Sequence, residues 1–521
     1  MSNKSNGSSS QSQCHDSLLN RFGPMGMALV GTWFGFANPL LHFPMAILLL
    51  PAALILSALW AQSHAQAFKN GFLTALPGYA ASLYWLAIPV HDHGGLPWVL
   101  ALPCPVLVGA LLAAYAGLFC MGVHLIKPQI FQPLAMLTLG LLWASLELVR
   151  NHFLTGFSWL PLAQAMAPWP TTLGLAAWVG GFGISGLIVC VSHSLLIGNS
   201  ATRVAILPLI GLCLLPGLTS SPRNPEATAS VSMIQGNIDQ GLKWDVGMQA
   251  DILKTYLDLS FKAVAENAPD LVVWPETAMP FYFQDPSDLT TNMRLGVARM
   301  QVPVLAGAPA YSIPMEPDAP SYVLHNRAYL LGANGEPLAA YDKEHLVPFG
   351  EYVPLGKWLP FITKLVPGQF EFRPGRNTEP LQSGPMAMGL LICYEAIFPE
   401  LAQKQVELGA NVLVNISNDA WFGHSSAPWQ HLHLSVLRAV EQNRAIIRST
   451  NSGVSAFIGP DGSLRGPTTL FSTRIAHDPA IPLLTEKTFY HEHFYLIHMA
   501  FPILTIAFLW VLWRAGRQTH T

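Results

Sequence analysis

The feature that most constrains this chain is where it keeps its charges. Before residue 222 there are nine charged side chains: Lys4, Asp16, Arg21, Lys69, Asp92, Lys127, Glu147, Arg150 and Arg203. Nearly all the others lie between 222 and 493, and an apolar run from Phe494 to Trp513 follows them. A chain that is 51% hydrophobic and 11% charged, parted in this way, points to an integral membrane protein with one water-facing domain.

Apolar segments recur near 24–40, 43–61, 69–90, 97–125, 130–150, 171–197 and 202–219. Each is close to the ~20 residues that cross the hydrocarbon core as a helix. The expected architecture is a multi-span α-helical membrane domain of about eight transmembrane helices, seven in 23–220 and one at 494–513, with a layered α/β domain at 221–493. The polar tail 1–22 is expected to be disordered, and 514–521 forms a second tail. No short apolar core with a small-residue cleavage site follows the first tail, so no removable signal peptide is read there.

With a cytoplasmic N-terminus, Lys4, Arg21, Lys69, Lys127, Arg203, Arg514 and Arg517 share the cytoplasmic side, and the opposite short loops hold only Arg150. The positive-inside rule favours that orientation, and an odd number of spans then puts 222–493 outside the cytoplasm. Trp98, Trp169, Trp510 and Trp513 stand near segment ends, as interfacial anchors do. Glu147 and Arg150 lie three apart on one helical face, spaced to pair for helix packing or to meet a lipid headgroup. His91, His93 and His152 lack metal-ligand spacing and read as solvated loop histidines. There is no basic tract suited to nucleic acid.

From 229 the periodicity changes. SVSMIQGN reads as a strand, Met248 to Asn267 as an amphipathic helix, LVVWPE (271–276) and VPVLAGAP (302–309) as strands. A hairpin turning at Asn334-Gly335 follows, then the strand that ends at Cys393, helix 399–409, strand 411–419 and helix 428–448. A last hairpin turns at Pro460-Asp461-Gly462.

The stretch MGLLICYEAIFPE (388–400) draws the chemistry together. Its apolar run is too short to span a membrane and ends in a thiol where the chain turns, a place where strand-based sites put nucleophiles. A free cysteine is more often a small buried core residue. However, the other five, Cys14, Cys104, Cys120, Cys190 and Cys213, fall in the tail or the apolar segments, so Cys393 has no disulfide partner in its domain. Glu276 ends another strand in WPETAMP, and Lys343 follows the hairpin in YDKEHLVPFGEYVP. Acyl transfer through a thiol needs a base for its proton and a cation or donor for the oxyanion, and Glu, Lys and Cys fill those roles without histidine. Singly they read as a capping carboxylate, a solvated amine and a core thiol.

WPETAMP, DKEHLVPFGEYVP, LLICYE and LVNISNDAWFG, with PWQH and RAVEQNRAIIRSTNSG, resemble the nitrilase superfamily, and within it the membrane-bound apolipoprotein N-acyltransferases. The resemblance covers nearly the whole chain; RSTNSG stands where RATNTG is expected. It implies an αββα sandwich with Glu276 as base, Lys343 as oxyanion and proton partner, Cys393 as nucleophile, and Glu351 and Glu395 as supporting acids, with Tyr394 beside the thiol. It implies an enzyme of the bacterial inner membrane whose catalytic domain is periplasmic. The thiol takes an acyl chain from a phospholipid and passes it to the α-amine of a lipoprotein's S-diacylglyceryl cysteine. No metal, nucleotide or other cofactor is implied, and a monomer is expected.

A lipid enzyme needs apolar cover. PLGKWLPFITKLVPGQF (354–370), with Trp358 and Phe361, reads as an arm dipping into the leaflet, against ordinary core packing. Trp244 and Trp421 are candidates for lining the acyl path, with plain packing as their alternative. The competing functions are a membrane-tethered amidase or nitrilase, and a non-catalytic lipid-binding scaffold.

Overall fold

The computed structural model describes residues 8–219, 225, 227–314, 322–352 and 372–518. The chain divides into two compact units, one of Met1–His91, Leu96–Leu218 and His493–Thr521, the other of Asp92–Gly95 and Thr219–Glu492.

The first unit is helical, as its long apolar runs require where no water can satisfy the backbone. A helix over Ser8–Gly35 occupies part of the tail expected to be disordered; its apolar second half carries it. It stops before Asn38, whose amide donates to the Trp33 carbonyl at 2.8 Å and whose Oδ1 accepts from the Leu40 and Leu41 N–H groups. Among the described residues, four helices are long and apolar enough to cross a membrane: Trp98–Leu125, Pro133–His152, Ala176–Ile197 and Phe494–Gln518. His64–Ser82 and Tyr84–Asp92, bent by 60°, make a fifth if taken as one span, while Pro44–Leu59 and Ser200–Gly211 are shorter apolar helices. Along Phe494–Gln518 an apolar face lies uncovered, with Tyr495, Leu496, Ile503 and Ile506 all more than half exposed.

Glu147 and Arg150 are both buried, but they do not close the pair that their spacing allows. Glu147 instead turns one oxygen to the Trp143 indole at 2.8 Å and the Leu162 N–H at 3.0 Å. Its other oxygen, and Arg150 Nε and Nη2, have no hydrogen-bond partner among the described residues.

The second unit carries two six-stranded sheets. The first has the order β12-β1-β2-β3-β4-β5 and is built from Ala227–Gln235 (β1), Leu271–Val273 (β2), Val304–Ser312 (β3), Val323–Leu331 (β4), Pro337–Asp342 (β5) and Arg474–Leu483 (β12). The second, β11-β10-β9-β8-β7-β6, holds Leu381–Ser383 (β6), Met386–Ile392 (β7), Val412–Ser417 (β8), Ile446–Thr450 (β9), Ala456–Ile458 (β10) and Leu464–Arg465 (β11). Each has a parallel centre, β1-β2-β3 and β7-β8-β9.

The period of two along each strand decides the layers. Val231, Met233, Val273 and Leu305 point into one core together with Leu390, Ile392, Val414 and Ile447 of the other sheet. Their neighbours Ile234, Val272, Trp274 and Val304 face the other way, onto helices Gln249–Asn267 and Asp288–Met300. With both faces covered, such strands are near-continuous apolar runs, each buried aliphatic side chain contributing roughly 1.5–3 kcal/mol. On the outer side of the second sheet, helix Pro399–Glu407 comes so close to β7 that a Cβ on Gly389 would lie 2.7 Å from that of Gln405.

Four features depart from the sequence reading. Helix Asp288–Met300 and strand β12 were not expected. The helix expected over 428–448 is Ala427–Gln442: Asn443 turns left-handed at φ 50°, and the β-branched pair Ile446-Ile447 joins β9. The β2 strand ends at Val273, so Glu276 sits in the turn beyond it.

Candidate active site

The site is assembled at the ends of β2, β5 and β7. Lys343, just past β5, is 1% exposed, and its main-chain N–H is fixed on the Asn326 carbonyl of β4 at 2.9 Å. Its ammonium lies 2.9 Å from the Glu351 carboxylate and 3.8 Å from Glu276 Oε1. Asn326 completes the arrangement, donating to Glu276 Oε1 at 2.7 Å and to Glu351 Oε1 at 2.9 Å. The Val347 N–H holds Glu351 Oε2 at 2.8 Å. Burial works against the charge on Lys343, but Glu351 and Glu276 prevail and hold its ammonium well above the ordinary lysine range. The turn that carries Glu276 lies flat on β3: a Cβ on Gly307 would meet the Glu276 Cα at 2.7 Å.

Cys393 follows β7 at once, with φ +53° and 9% exposure. For a side chain with a Cβ that conformation costs on the order of 1–2 kcal/mol, so the surroundings must impose it. They do so through its carbonyl, which faces His431 Nε2 at 3.0 Å and accepts from Asn415 Nδ2 at 3.4 Å. His431 Nδ1 meets Asp419 Oδ1 at 3.1 Å, and Asp419 Oδ2 accepts from Arg448 at 2.8 Å. Arg448 also donates to Asn415, closing a buried ring. Burial alone would raise the Asp419 carboxyl; Arg448 and His431 overcome it and hold Asp419 at about 2. The Cys393 thiol is pushed up to about 12, by burial first and by Glu276, with Lys343 opposing. It is therefore protonated at neutral pH, and a thiol so held would need a base to act as a nucleophile.

Glu395 is fully buried beneath this turn. Its two oxygens accept from the Glu344, His345 and Ile392 N–H groups at 2.6, 3.0 and 2.6 Å and from the Tyr341 hydroxyl. It thereby joins the loop after β5 to the end of β7. Burial raises its carboxyl to about 7 against those three backbone donors. Tyr394 is buried edge-on against Phe398 at 5.1 Å.

Thus the structure brings Glu276, Lys343 and Glu351 into contact, with Cys393 in their field and Glu395 and Tyr394 alongside. Trp244 and Trp421 are 53% and 40% exposed. Trp358, Phe361 and the arm 354–370 lie outside the described residues. Asn326, Lys243, Asp419, His431 and Arg448 were given no role from sequence. Asp419, His431 and Arg448 stand within the quoted NDAWFG, PWQH and RSTNSG motifs, but spacing alone pairs none of them. Among the described residues, no group of three or more His, Cys, Asp or Glu is placed to hold a metal ion.

A two-sheet α/β domain with a thiol, a buried lysine and carboxylates at its strand ends is of the carbon–nitrogen hydrolase class. Residues 230–476 match the carbon-nitrogen hydrolase family, and 29–194 match the apolipoprotein N-acyltransferase N-terminal domain. The apolipoprotein N-acyltransferase of Geobacter metallireducens is 37% identical over 444 residues, 82% of this chain and 83% of that protein. That of Nitrosomonas europaea is 32% identical over 472 residues, 87% and 89% of the two chains. This chain belongs to the apolipoprotein N-acyltransferase family. Among solved structures, an amidase from Nesterenkonia sp. aligns with 51% of this chain and 94% of its own, at 19% identity and a TM-score of 0.37.

Replacing Glu395 by Gln tests the joint between the two loops. An amide would set N–H groups against N–H groups, leaving buried donors unsatisfied at about 1–3 kcal/mol each. Glu395→Gln is expected to lower the melting temperature and to slow alkylation of Cys393; a variant unchanged in both would show that the carboxylate is dispensable.

Proposed function

We propose that this protein transfers an acyl chain from a membrane phospholipid, through a thioester on Cys393, to the α-amino group of a lipoprotein's N-terminal S-diacylglyceryl cysteine. The observation that carries the reading is a buried lysine held charged by two carboxylates beside a thiol that burial keeps protonated. Membership of the family supports the substrates.

The roles follow from the proton positions. Glu276 takes the thiol proton as sulfur attacks the ester carbonyl of the phospholipid. The ammonium of Lys343, too firmly protonated to act as a base, stabilises the oxyanion of the tetrahedral intermediate. Collapse breaks the ester C–O bond, and Glu276 returns its proton to the departing lysophospholipid. In the second half the acceptor amine attacks the thioester, Glu276 takes a proton from the nitrogen, and the thiolate leaves and is reprotonated. Glu351 fixes Lys343, and Glu395 and Tyr394 hold the turn that carries the nucleophile. Trp244 and Trp421, with the apolar stretch around Trp358 and Phe361, are the surfaces for the acyl chains.

In this reading the helices of the first unit make about eight spans of a bacterial inner membrane. The seven-to-one distribution of basic residues between the two sides supports a periplasmic catalytic domain. The protein works as a monomer on two substrates that are themselves anchored in the outer leaflet.

Two outcomes test this. Wild-type protein incubated with phospholipid vesicles is expected to carry a hydroxylamine-sensitive acyl group on the Cys393 peptide, and Cys393→Ala to lose turnover; full activity in Cys393→Ala would remove the thioester from the reaction. A reporter fused after Thr219 is expected to read as periplasmic and one after Arg517 as cytoplasmic. Both on one side would contradict the single span between them.

A further inference from the structure

Lys243 is a buried cation to which the reaction above gives no task. Its side chain is 0% exposed, while its loop neighbours Leu242, Trp244 and Val246 are 49%, 53% and 79% exposed. Three apolar side chains turned outward and one lysine turned inward is the reverse of what solvation alone gives. The lysine reaches the strand-end turn, where its Nζ donates to the main-chain carbonyl of Glu276 at 3.2 Å. Burial brings its ammonium down to about 8, with the Glu276 charge acting against that fall. Lys343 Nζ stands 3.8 Å from the Oε1 of the same Glu276. Asp239 and Asp245, on the loop itself, are occupied with the Gly241 and Gly247 N–H groups at 2.7 and 2.8 Å.

We infer that Lys243 is a positioning residue for Glu276: it ties the Leu242–Val246 loop to the main chain of the base and sets a second ammonium beside its carboxylate. This rests on the reading of Glu276 as the general base. A desolvated ammonium whose hydrogen bond among the described residues goes to the Glu276 carbonyl is costly to keep, and its hold on the main chain of the base is what it supplies in return. An acyl chain seated against Leu242, Trp244 and Val246 would press on the same backbone that holds the base in register.

The test is single-turnover acylation of Cys393 by full-length protein from phosphatidylethanolamine vesicles, followed from about pH 6.5 to about pH 9.5. The wild-type rate is expected to fall as the pH rises through about 8, where Lys243 loses its proton. Lys243→Gln keeps a donor without the charge; it is expected to be about tenfold slower near neutrality and flat across that range. Lys243→Arg, charged throughout, is expected to hold its rate where wild type fades. The inference is overturned if wild type shows no fall near pH 8, if Lys243→Gln acylates within about twofold of wild type, or if the same fall persists in either variant. These readouts separate a positioning role from loss of fold, which would lower the rate without moving the profile. Undiminished acylation in Glu276→Gln would instead overturn the assignment of the base, and with it this inference.

Discussion

The site depends on one buried ammonium shared between two carboxylates. Moving a lysine from water to near-zero exposure costs several kcal/mol, and a lone partner seldom repays it. Here Glu351 binds Lys343 at 2.9 Å, Glu276 stands at 3.8 Å, and the Asn326 amide joins the two carboxylates by donating to one oxygen of each. These four side chains come from the turn after β2, from β4, from the end of β5 and from the loop beyond it. The sheet register is therefore what sets their spacing, and a slip of one residue in β4 or β5 would turn the partners away from one another.

The thiol adds the second constraint. Cys393 is strained in the left-handed region and is secured through its main-chain carbonyl. The ring of Asn415, Asp419, His431 and Arg448 grips that carbonyl, while the thiol lies in the field of Glu276 and Lys343. Histidine, so often the base beside a cysteine, here sits behind the nucleophile. In the proposed reaction the division of labour is electrostatic: burial keeps the sulfur protonated until a carboxylate takes its proton, and the lysine stays charged through both halves.

Much of this is legible in the amino-acid order. The scarcity of charge before residue 222 announces helices in the first unit, and every apolar segment read there is helical. The unbroken runs at Leu271–Val273, Met386–Ile392 and Val412–Ser417 are the strands buried on both faces. The hairpin at Asn334-Gly335 is there, with Gly335 at φ +80°. What escaped has a common cause, contacts between residues far apart in the chain. β12 pairs with β1 across more than two hundred residues, and no local pattern signals that. The helix after Ala427 overshoots in a periodicity reading because Arg444 to Thr450 is apolar enough for either state, and only the left-handed Asn443 and the pairing with β8 decide it. Asn326 and Lys243 look like ordinary polar residues until the fold sets one between two carboxylates and the other on the main-chain carbonyl of Glu276. Glu147 and Arg150 show the converse: their spacing permits a pair, and the turn at Leu162 takes the carboxylate instead.

The most direct measurement is single-turnover acylation of Cys393 in Lys343→Met, read by intact mass after mixing with phospholipid vesicles, with thermal unfolding recorded on the same sample. Methionine keeps the apolar stem and removes the charge. Loss of about a hundredfold or more in the rate of thioester formation, in protein that still unfolds cooperatively, is the expected result. A folded Lys343→Met that acylates Cys393 within about threefold of wild type would contradict a reaction built on the shared ammonium.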